Sequence, residues 1–360
     1  MSLPHTPFAF LLHYIKQFNT QFFFLIFFSF FWALNESLFP YFLKLLVEGV
    51  TNSSLVDFSL KNFQIPIIGL TLCWVAMEIS MRLFGVIEVY LYPQFRSRMR
   101  QDVFDWVKDQ SIDYFSSNLS GSIGSKIADI PKSSHRIVDH FIWYVIGTAL
   151  LFFLAIVVVS QASLIFGGLI IVWCSVHMGI TFYYLDEVQT KTSDHYESLA
   201  VLNGETVDII NNAISMKFFS RIDFETQRLK KFQETEITKS QVSGWALQKV
   251  NFLRGFVSLA FMFATIFMLL KGWQKGWLSL GDFPLVAMTS FHLMGMLWHM
   301  SLTLVDMFQD IGTLKGSLSL LKHQHSVQNK PNAVALEVDK GCIEFDKVIF
   351  GYSNREPLFN

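Results

Sequence analysis

The chain has 360 residues, of which 52% are hydrophobic and 16% charged, and its formal net charge at pH 7 is -1. Ordinary soluble domains carry about 25% charged residues, and surface-to-volume scaling argues against hiding so large an apolar excess in one core at this length. The composition fits a membrane as solvent, and the near-neutral charge excludes the basic class of nucleic-acid-binding proteins.

Six apolar segments are long enough to cross a membrane as helices, which takes about 20 residues each. They cover residues 21–47, 65–91, 141–160, 163–185, 246–270 and 283–305, after an N-terminal segment of residues 1–20. The first segment has no small-residue cleavage site and exceeds the apolar part of a signal peptide, so we interpret it as a retained span. The sequence therefore predicts an all-α polytopic membrane protein.

The connections between the spans alternate between short and long. Residues 92–140 and 186–245 form the two long connections, and these carry 14 of the 28 Lys and Arg residues, whereas the short connections carry only Lys61, Lys271 and Lys275. By the positive-inside rule, both long connections and both termini lie in the cytoplasm. Helix-spaced apolar residues predict that the membrane helices continue tens of ångströms beyond the bilayer and turn back at a tip. Pro93 is a place where the second of these helices can kink.

The composition changes after the sixth span. Residues 321–340 have the character of a linker, and the alternation of Ile343, Phe345, Val348 and Phe350 with polar residues then predicts a β-strand. We interpret residues 341–360 as the first strands of a soluble α/β domain.

Three motifs occur in order along the chain. Phe115 is followed by GSIGSKI from Gly121; Val207-Asp208 is followed by Asn212 and by SMKFF from Ser215; and IEFDKVIFGY ends at Tyr352. Together with the six spans, these motifs resemble ABC exporters whose transmembrane domain precedes an ATPase domain. The first two are similar to patterns in the family's long cytoplasmic connections, and the third is similar to the opening strands of its ATPase domain.

The resemblance implies a dimer, formed by two copies or with a related half-transporter, and ATP with Mg as the cofactor of the complete protein. It implies coupling helices near residues 112–120 and 208–215 that dock on the ATPase domains and carry their motion to the membrane. The matching residues are Phe115, Gly121, Asp208, Asn212, Ser215 and Lys217. The alternative is that these segments are solvated amphipathic helices.

The resemblance also implies that Tyr352 stacks on the adenine of ATP. The phosphate-binding loop G-x-x-x-x-G-K-[ST] does not occur in the 360 residues. We therefore expect the ATPase domain to continue beyond Asn360, and the chain alone neither to hydrolyse ATP nor to bind it tightly.

Polar residues within the predicted spans are costly and usually face the bundle interior. The candidates for a cargo pathway are Asn35, Glu36, Glu78, Arg82, His292, Trp298 and His299. Glu78 and Arg82 lie one turn apart, so mutual pairing is the alternative to contact with cargo. His292 and His299 share a helix face, but a metal site needs more converging ligands, and we expect none.

Two further side-chain types lead to structural expectations. His177 is expected to form a hydrogen bond between helices. The three cysteines, Cys73, Cys174 and Cys342, form no CxxC pair, so we expect buried thiols without a disulfide or a zinc site.

These observations predict the membrane-spanning half of an exporter that moves an amphipathic, lipid-like or drug-like cargo out of the cytoplasm, in contact with membrane lipid. We expect it in the inner membrane of a bacterium. Two alternatives stay open: a transport-inactive scaffold on the same fold, and an intramembrane enzyme that uses Glu36, His292 and His299. A phosphate-binding loop encoded shortly after Asn360 would favour the exporter.

Overall fold

The computed structural model describes residues 3–53, 60–117 and 120–322, and after these only 333–334, 341, 343–346 and 348. Every regular element within these ranges is helical. The α-helices are α1 (Pro7–Gln17), α2 (Asn19–Asn52), α3 (Gln64–Lys108), α4 (Ile112–Ser117), α5 (Ser120–His140), α6 (Gly147–Ser160), α7 (Leu164–Tyr183), α8 (Leu185–Asn211), α9 (Ala213–Phe218), α10 (Ile222–Gln274) and α11 (Asp282–Ser317). A π-helical segment, Phe141–Ile146, joins α5 to α6, and short 3-10 helices cover Leu60–Phe63 and Leu318–Lys322.

Six of the described helices are long and apolar enough to cross a membrane. The first two spans lie in α2 and α3, the third in the π-helical segment with α6, and the last three in α7, α10 and α11. The all-α polytopic fold expected from the hydropathy pattern is therefore confirmed.

The long connections are helical extensions of the spans. Helix α8 has 27 residues, which corresponds to about 40 Å at the rise of an α-helix, and α10 runs without interruption for 53 residues. Helix α3 continues through Pro93 to Lys108, so this proline does not end the helix. These continuous helices can transmit a displacement from one end to the other.

The N-terminal segment contains a helix that the sequence analysis did not predict. Pro7 stands in the first turn of α1, where its missing amide hydrogen costs nothing. Phe10 and Tyr14 are fully buried, whereas Phe8 on the same helix is 77% exposed. The Tyr14 hydroxyl donates a hydrogen bond of 3.0 Å to Asp102 Oδ2, which holds α1 against the C-terminal part of α3.

The helices pack in two groups. Helices α2, α3, α5, α6 and α11 contact one another, while α8 packs mainly on α10, and α7 on α10 and α6. Ion pairs join α8 to α10 along their length: Asp194 to Lys239 at 3.2 Å, His195 to Glu236 at 2.9 Å, Glu187 to Lys249 at 3.3 Å, and Glu205 to Arg228. The α8–α10 pair is thus a long arm cross-linked by charges.

A second charged contact closes the bundle at the end with the short loops. Lys44 Nζ lies 2.6 Å from Asp282 Oδ1, and these side chains are only 16% and 6% exposed. The Ser279 amide donates to Asp282 Oδ2 at 2.8 Å. A Cβ atom on Gly281 would stand 2.6 Å from the Lys44 carbonyl oxygen, so glycine is needed for this close approach of the α10–α11 loop to α2.

The predicted strand after residue 341 is not formed in the described part of the chain. Residues 343–346 and 348 carry no regular secondary structure, and the remaining positions, including Tyr352 and most of the linker 321–340, lie outside the described residues. A strand needs a neighbouring strand for its backbone hydrogen bonds, and the described residues contain none. The beginning of an ATPase domain at residue 341 stays a prediction.

The structure places two of the three cysteines. Cys73 is buried and Cys174 half-buried, and both are free thiols. Cys342 lies outside the described residues.

Candidate functional site

The tip of the α8–α10 arm is built by α9. The hydrogen bond of 2.9 Å from the Arg221 amide to the Met216 carbonyl closes this helix, and Ser220 adopts a positive φ of 53° just after it. Such a left-handed residue is a common way to end a helix. The chain can therefore reverse direction within a few residues.

The tip begins later than the sequence analysis placed it. Asp208 belongs to α8, and Asn212 is the junction residue, whose amide nitrogen donates to the Asp208 carbonyl at 2.9 Å. This side-chain bond prolongs α8, so the short helix covers Ala213–Phe218 instead of residues 208–215. Ser215 and Lys217 lie on α9.

Apolar side chains crowd the surface of this tip. The exposed fractions are 81% for Phe218, 76% for Phe219 and 70% for Ile214. A cavity of about 210 Å³ beside them is lined by Asp208, Asn212, Ser215 and Arg221, among others. Exposed aromatic and aliphatic groups that lie together mark an interaction surface.

The other tip carries α4. Phe115 is 45% exposed and Ile112 is 87% exposed, while Gly121 lies in open space in the first turn of α5. Both predicted coupling segments therefore form short helices with exposed apolar residues at the far ends of long helices.

Within the spans, three predicted pathway residues come together. Glu36 Oε2 lies 2.9 Å from His292 Nδ1, and both side chains line a cleft of about 250 Å³ with Asn35. The Asn35 side-chain amide donates to the Cys73 carbonyl. Cys73, Met77 and Met288 complete much of the wall, with Phe39 and Trp74. The cleft thus combines one carboxylate–imidazole pair with thiol, thioether and aromatic groups, drawn from α2, α3 and α11.

The remaining pathway candidates lie elsewhere. Glu78 and Arg82 pair at 2.7 Å, which confirms the pairing that their spacing predicts. Trp298 and His299 are exposed on α11 and are not part of the cleft lining. The idea that His292 and His299 act together therefore finds no support in this arrangement.

Charges outside the spans stabilise the arm at the base of α8. The carboxylate of Glu187 accepts hydrogen bonds from Lys191 at 2.5 Å and from Lys249 at 3.3 Å. These hydrogen bonds, with the Lys191 bond first, hold the pKa of Glu187 below its usual value. The lysine on α8 and the lysine on α10 share one carboxylate.

One basic residue was missed by the sequence analysis. Arg254 lies within the predicted fifth span and is only 4% exposed, although its charge inside residues 246–270 was a visible signal. His177 on α7 is 1% exposed, and neither ring nitrogen has a hydrogen-bond partner among the described residues. The expectation that His177 forms an interhelical hydrogen bond is therefore wrong.

Metal ligation can be tested on the described residues. These residues contain no group of three His, Cys, Asp or Glu side chains that could hold a metal ion.

Comparisons with known proteins agree with this architecture. A family model described as "ABC transporter transmembrane region" matches residues 22–297. The chain is 19% identical over 267 residues to an uncharacterized ABC transporter ATP-binding protein of Haemophilus influenzae, covering 74% of this chain and 43% of that protein. It is 31% identical over 158 residues to the mitochondrial iron-sulfur clusters transporter ATM1 of Chaetomium globosum, covering 43% and 26% of the two chains.

A third relative and a solved structure extend the comparison. The ATM1-type heavy metal exporter of Novosphingobium aromaticivorans is 21% identical over 266 residues, which are 72% of this chain and 43% of that protein. The structure of a bacterial Atm1-family ABC exporter with ATP bound superposes with a TM-score of 0.73 at 16% identity, covering 94% of this chain and 59% of that one. The chain thus spans less than half the length of these curated relatives.

Proposed function

The chain belongs to the ABC transporter transmembrane family, as the membrane-spanning domain of an exporter, and we propose that it works as half of a dimer that moves amphipathic cargo out of the cytoplasm by ATP-driven alternating access. The observation that carries the proposal is the pair of apolar tips at the ends of long helices, together with a mainly apolar cleft within the spans that holds the Glu36–His292 pair. ATP with Mg would act in the complete protein. The partner is a second copy or a related half-transporter.

The tips support a coupling role. Phe218, Phe219 and Ile112 would be exposed to water at the ends of the extensions, and such surfaces usually have a binding partner. An ATPase domain that covers them would move them when it closes around ATP. The ion pairs between α8 and α10 make that arm stiff enough to carry the displacement to the spans.

The cleft supports a cargo pathway. Ionisable groups inside a bilayer are rare and mark transport routes more often than structural contacts, and the Glu36–His292 pair is such a case. The methionines beside it are flexible and adapt to differently shaped apolar surfaces. A lipid-like or drug-like molecule with a polar group would find both kinds of contact here.

A metal-bearing cargo is a second candidate within the same function. Thiol, thioether and imidazole groups are the ligands that soft metal ions prefer, and Cys73, Met288 and His292 place all three along one cleft. Two relatives are named for heavy metals or iron-sulfur clusters. The metal would be cargo that passes through, carried on an amphipathic molecule.

The orientation follows from the distribution of charge. We propose that the tips and both termini face the cytoplasm of a bacterial cell and that the spans contact lipid of its inner membrane. Exposed apolar residues such as Phe252 at 78% and Trp74 at 66% are compatible with contact to lipid or to the second half of the dimer.

Transport into inside-out membrane vesicles tests this function. Vesicles with the complete transporter should accumulate a fluorescent amphipathic dye, or the dye's cadmium complex, with ATP and not with a non-hydrolysable analogue. His292→Gln should raise the KM for the transported cargo several-fold, whereas His13→Gln on α1 should not change it. Hydrolysis of ATP without accumulation of any cargo would favour the scaffold, and chemical conversion of the dye would favour the intramembrane enzyme.

A further inference from the structure

Arg254 is a buried cation without a counter-charge among the described residues. It lies on α10 within the predicted fifth span and is 4% exposed. Its guanidinium donates to Asn251 Oδ1, a neutral group on the same helix, and its Nε has no hydrogen-bond partner. Among the residues that the structure describes, no carboxylate lies within ion-pair distance of Arg254. The ion pairs on α10 and α11 nearest in sequence join Lys249 to Glu187 and His292 to Glu36.

His177 shares this environment from the neighbouring helix. It is 1% exposed on α7, and neither ring nitrogen has a hydrogen-bond partner among the described residues. One turn before His177, Trp173 Nε1 donates a hydrogen bond of 3.2 Å to Ser258, which lies one turn after Arg254 on α10, so the contact between the two helices places His177 and Arg254 at the same level. Glu187, the acidic residue at the start of α8, is already bound by Lys191 and Lys249. Two buried polar side chains therefore lie at one level of the α7–α10 contact without a described carboxylate partner.

An uncompensated charge of this kind is costly inside a bilayer. Transfer of an ion out of water costs several kcal/mol even after relaxation, and hydrocarbon offers no compensation. A buried guanidinium therefore indicates a counter-ion that the chain does not itself supply. Arginine is suited to such a role because its planar fork binds a carboxylate or phosphate through two parallel hydrogen bonds.

We propose that Arg254 and His177 form the binding site for an anionic head group, a carboxylate or phosphate, between α7 and α10; this rests on the proposed export function and names the charge of its cargo. Both residues stand eight positions inside the cytoplasmic ends of their predicted spans, at 185 and 246, or about 12 Å into the membrane. The head group therefore enters from the cytoplasmic half.

The aromatic residues beside His177 suit the apolar tail of an amphipathic anion. Trp173 lies one turn from His177 on the side away from the cytoplasm, and its ring stacks on Phe261 at 4.8 Å. The Phe152 ring also stacks on the Trp173 ring, with the ring centroids 6.2 Å apart. The charge would be held by Arg254 while an apolar tail extends along these aromatic rings.

Binding of dodecyl phosphate to the 360-residue chain in phosphatidylcholine nanodiscs tests the site by calorimetry. Arg254→Gln should raise the Kd roughly tenfold to a hundredfold, the loss expected for charge-assisted hydrogen bonds. Arg98→Gln, which removes an arginine that pairs with Asp102 outside the spans, should bind as the wild type does. Dodecyltrimethylammonium, with the same tail and the opposite charge, should show no dependence on Arg254.

Thermal unfolding separates a binding role from a structural one. Without ligand, Arg254→Gln should be at least as stable as the wild type, because it removes an unpaired buried charge. Dodecyl phosphate should raise the Tm of the wild type and not of the variant. If the variant unfolds earlier and still binds dodecyl phosphate with wild-type affinity, Arg254 is a packing residue and the proposal is wrong.

The lipid composition identifies the source of the anion. In nanodiscs of equal parts phosphatidylcholine and phosphatidylglycerol, competition that depends on Arg254 would assign the site to a lipid head group, and unchanged binding would assign it to free cargo; either result supports an anion site. Equal Kd values for wild type and Arg254→Gln in both membranes would overturn it. That failure would leave the vesicle uptake experiment standing when the dye is uncharged or cationic, because such a dye has no anionic head group for this site.

Discussion

Truncation of the α9 aromatics to alanine, as Phe218→Ala/Phe219→Ala, should uncouple ATP hydrolysis from transport in the complete protein. The two rings are 81% and 76% exposed, so most of their surface is available to a docking partner. Full burial of a phenylalanine contributes about 1.5–3 kcal/mol. If docking covers half of each ring, the double variant loses about 1.5–3 kcal/mol of docking free energy, or roughly a ten- to hundredfold weaker contact.

The assay compares two ratios in reconstituted transporter: cargo moved per ATP, and cargo-stimulated over basal hydrolysis. Both should fall in the double variant, while basal hydrolysis persists. The Tm of the 360-residue chain should change by only about 1–2 °C, because exposed positions rarely shift stability by more than about 0.5 kcal/mol. Phe8→Ala removes an equally exposed ring from α1, at 77%, and should leave both ratios intact. Unchanged transport per ATP in the double variant would refute the docking role of α9.

Three more outcomes are expected. Cysteines placed at Asn211 and Lys275 should react with an impermeant maleimide from opposite sides of the membrane, Asn211 from the cytoplasm; labelling of both from one side would contradict the topology. Asp282→Asn, which leaves Lys44 only its 3.8 Å contact with Glu48, should destabilise the chain by about 1–3 kcal/mol, and Lys44→Met/Asp282→Leu should recover part of it in a thermal melt. His135 lies half-buried in α5, and burial holds its pKa below its ordinary value. As the pH falls below about 6.5, the unfolded chain therefore binds a proton at this ring more readily than the folded chain does, and the free energy of unfolding should fall. His135→Gln should flatten this dependence of stability on pH. A slope equal to that of wild type would exclude His135 as its cause.

The sequence was sufficient to predict the spans, because their signal is local. A helix in a bilayer must be apolar over its own length and must form its backbone hydrogen bonds within itself. Each membrane span can therefore be predicted from its own residues, independently of the neighbouring helices. The helical extensions were predicted on similar grounds, from the apolar spacing of the segments that form the end of α3 and α8. Helix α1 is short, and its buried face becomes apparent only when Phe10 and Tyr14 pack against α3.

The contacts between helices could not be derived in this way. Glu36 and His292 are 256 positions apart, and nothing in either segment shows that α2 and α11 bring them within 2.9 Å. The lack of partners for Arg254 and His177 among the described residues was equally hidden, because it depends on every neighbouring helix. The junction between α8 and α9 was also hidden, because the motif does not show that Asn212 caps α8 with a bond to the Asp208 carbonyl.

The central claim is that the cytoplasmic arms of two chains move together when ATP binds. Spin labels at Asn211, on the last turn of α8, place one probe on each arm of the dimer. Pulsed electron–electron double resonance then measures the distance between the two labels. In the complete transporter, ATP with vanadate should shift the distribution to shorter distances relative to the nucleotide-free state, and Phe218→Ala/Phe219→Ala should leave it unshifted. A distribution that is the same with and without ATP in the wild-type transporter would contradict the account.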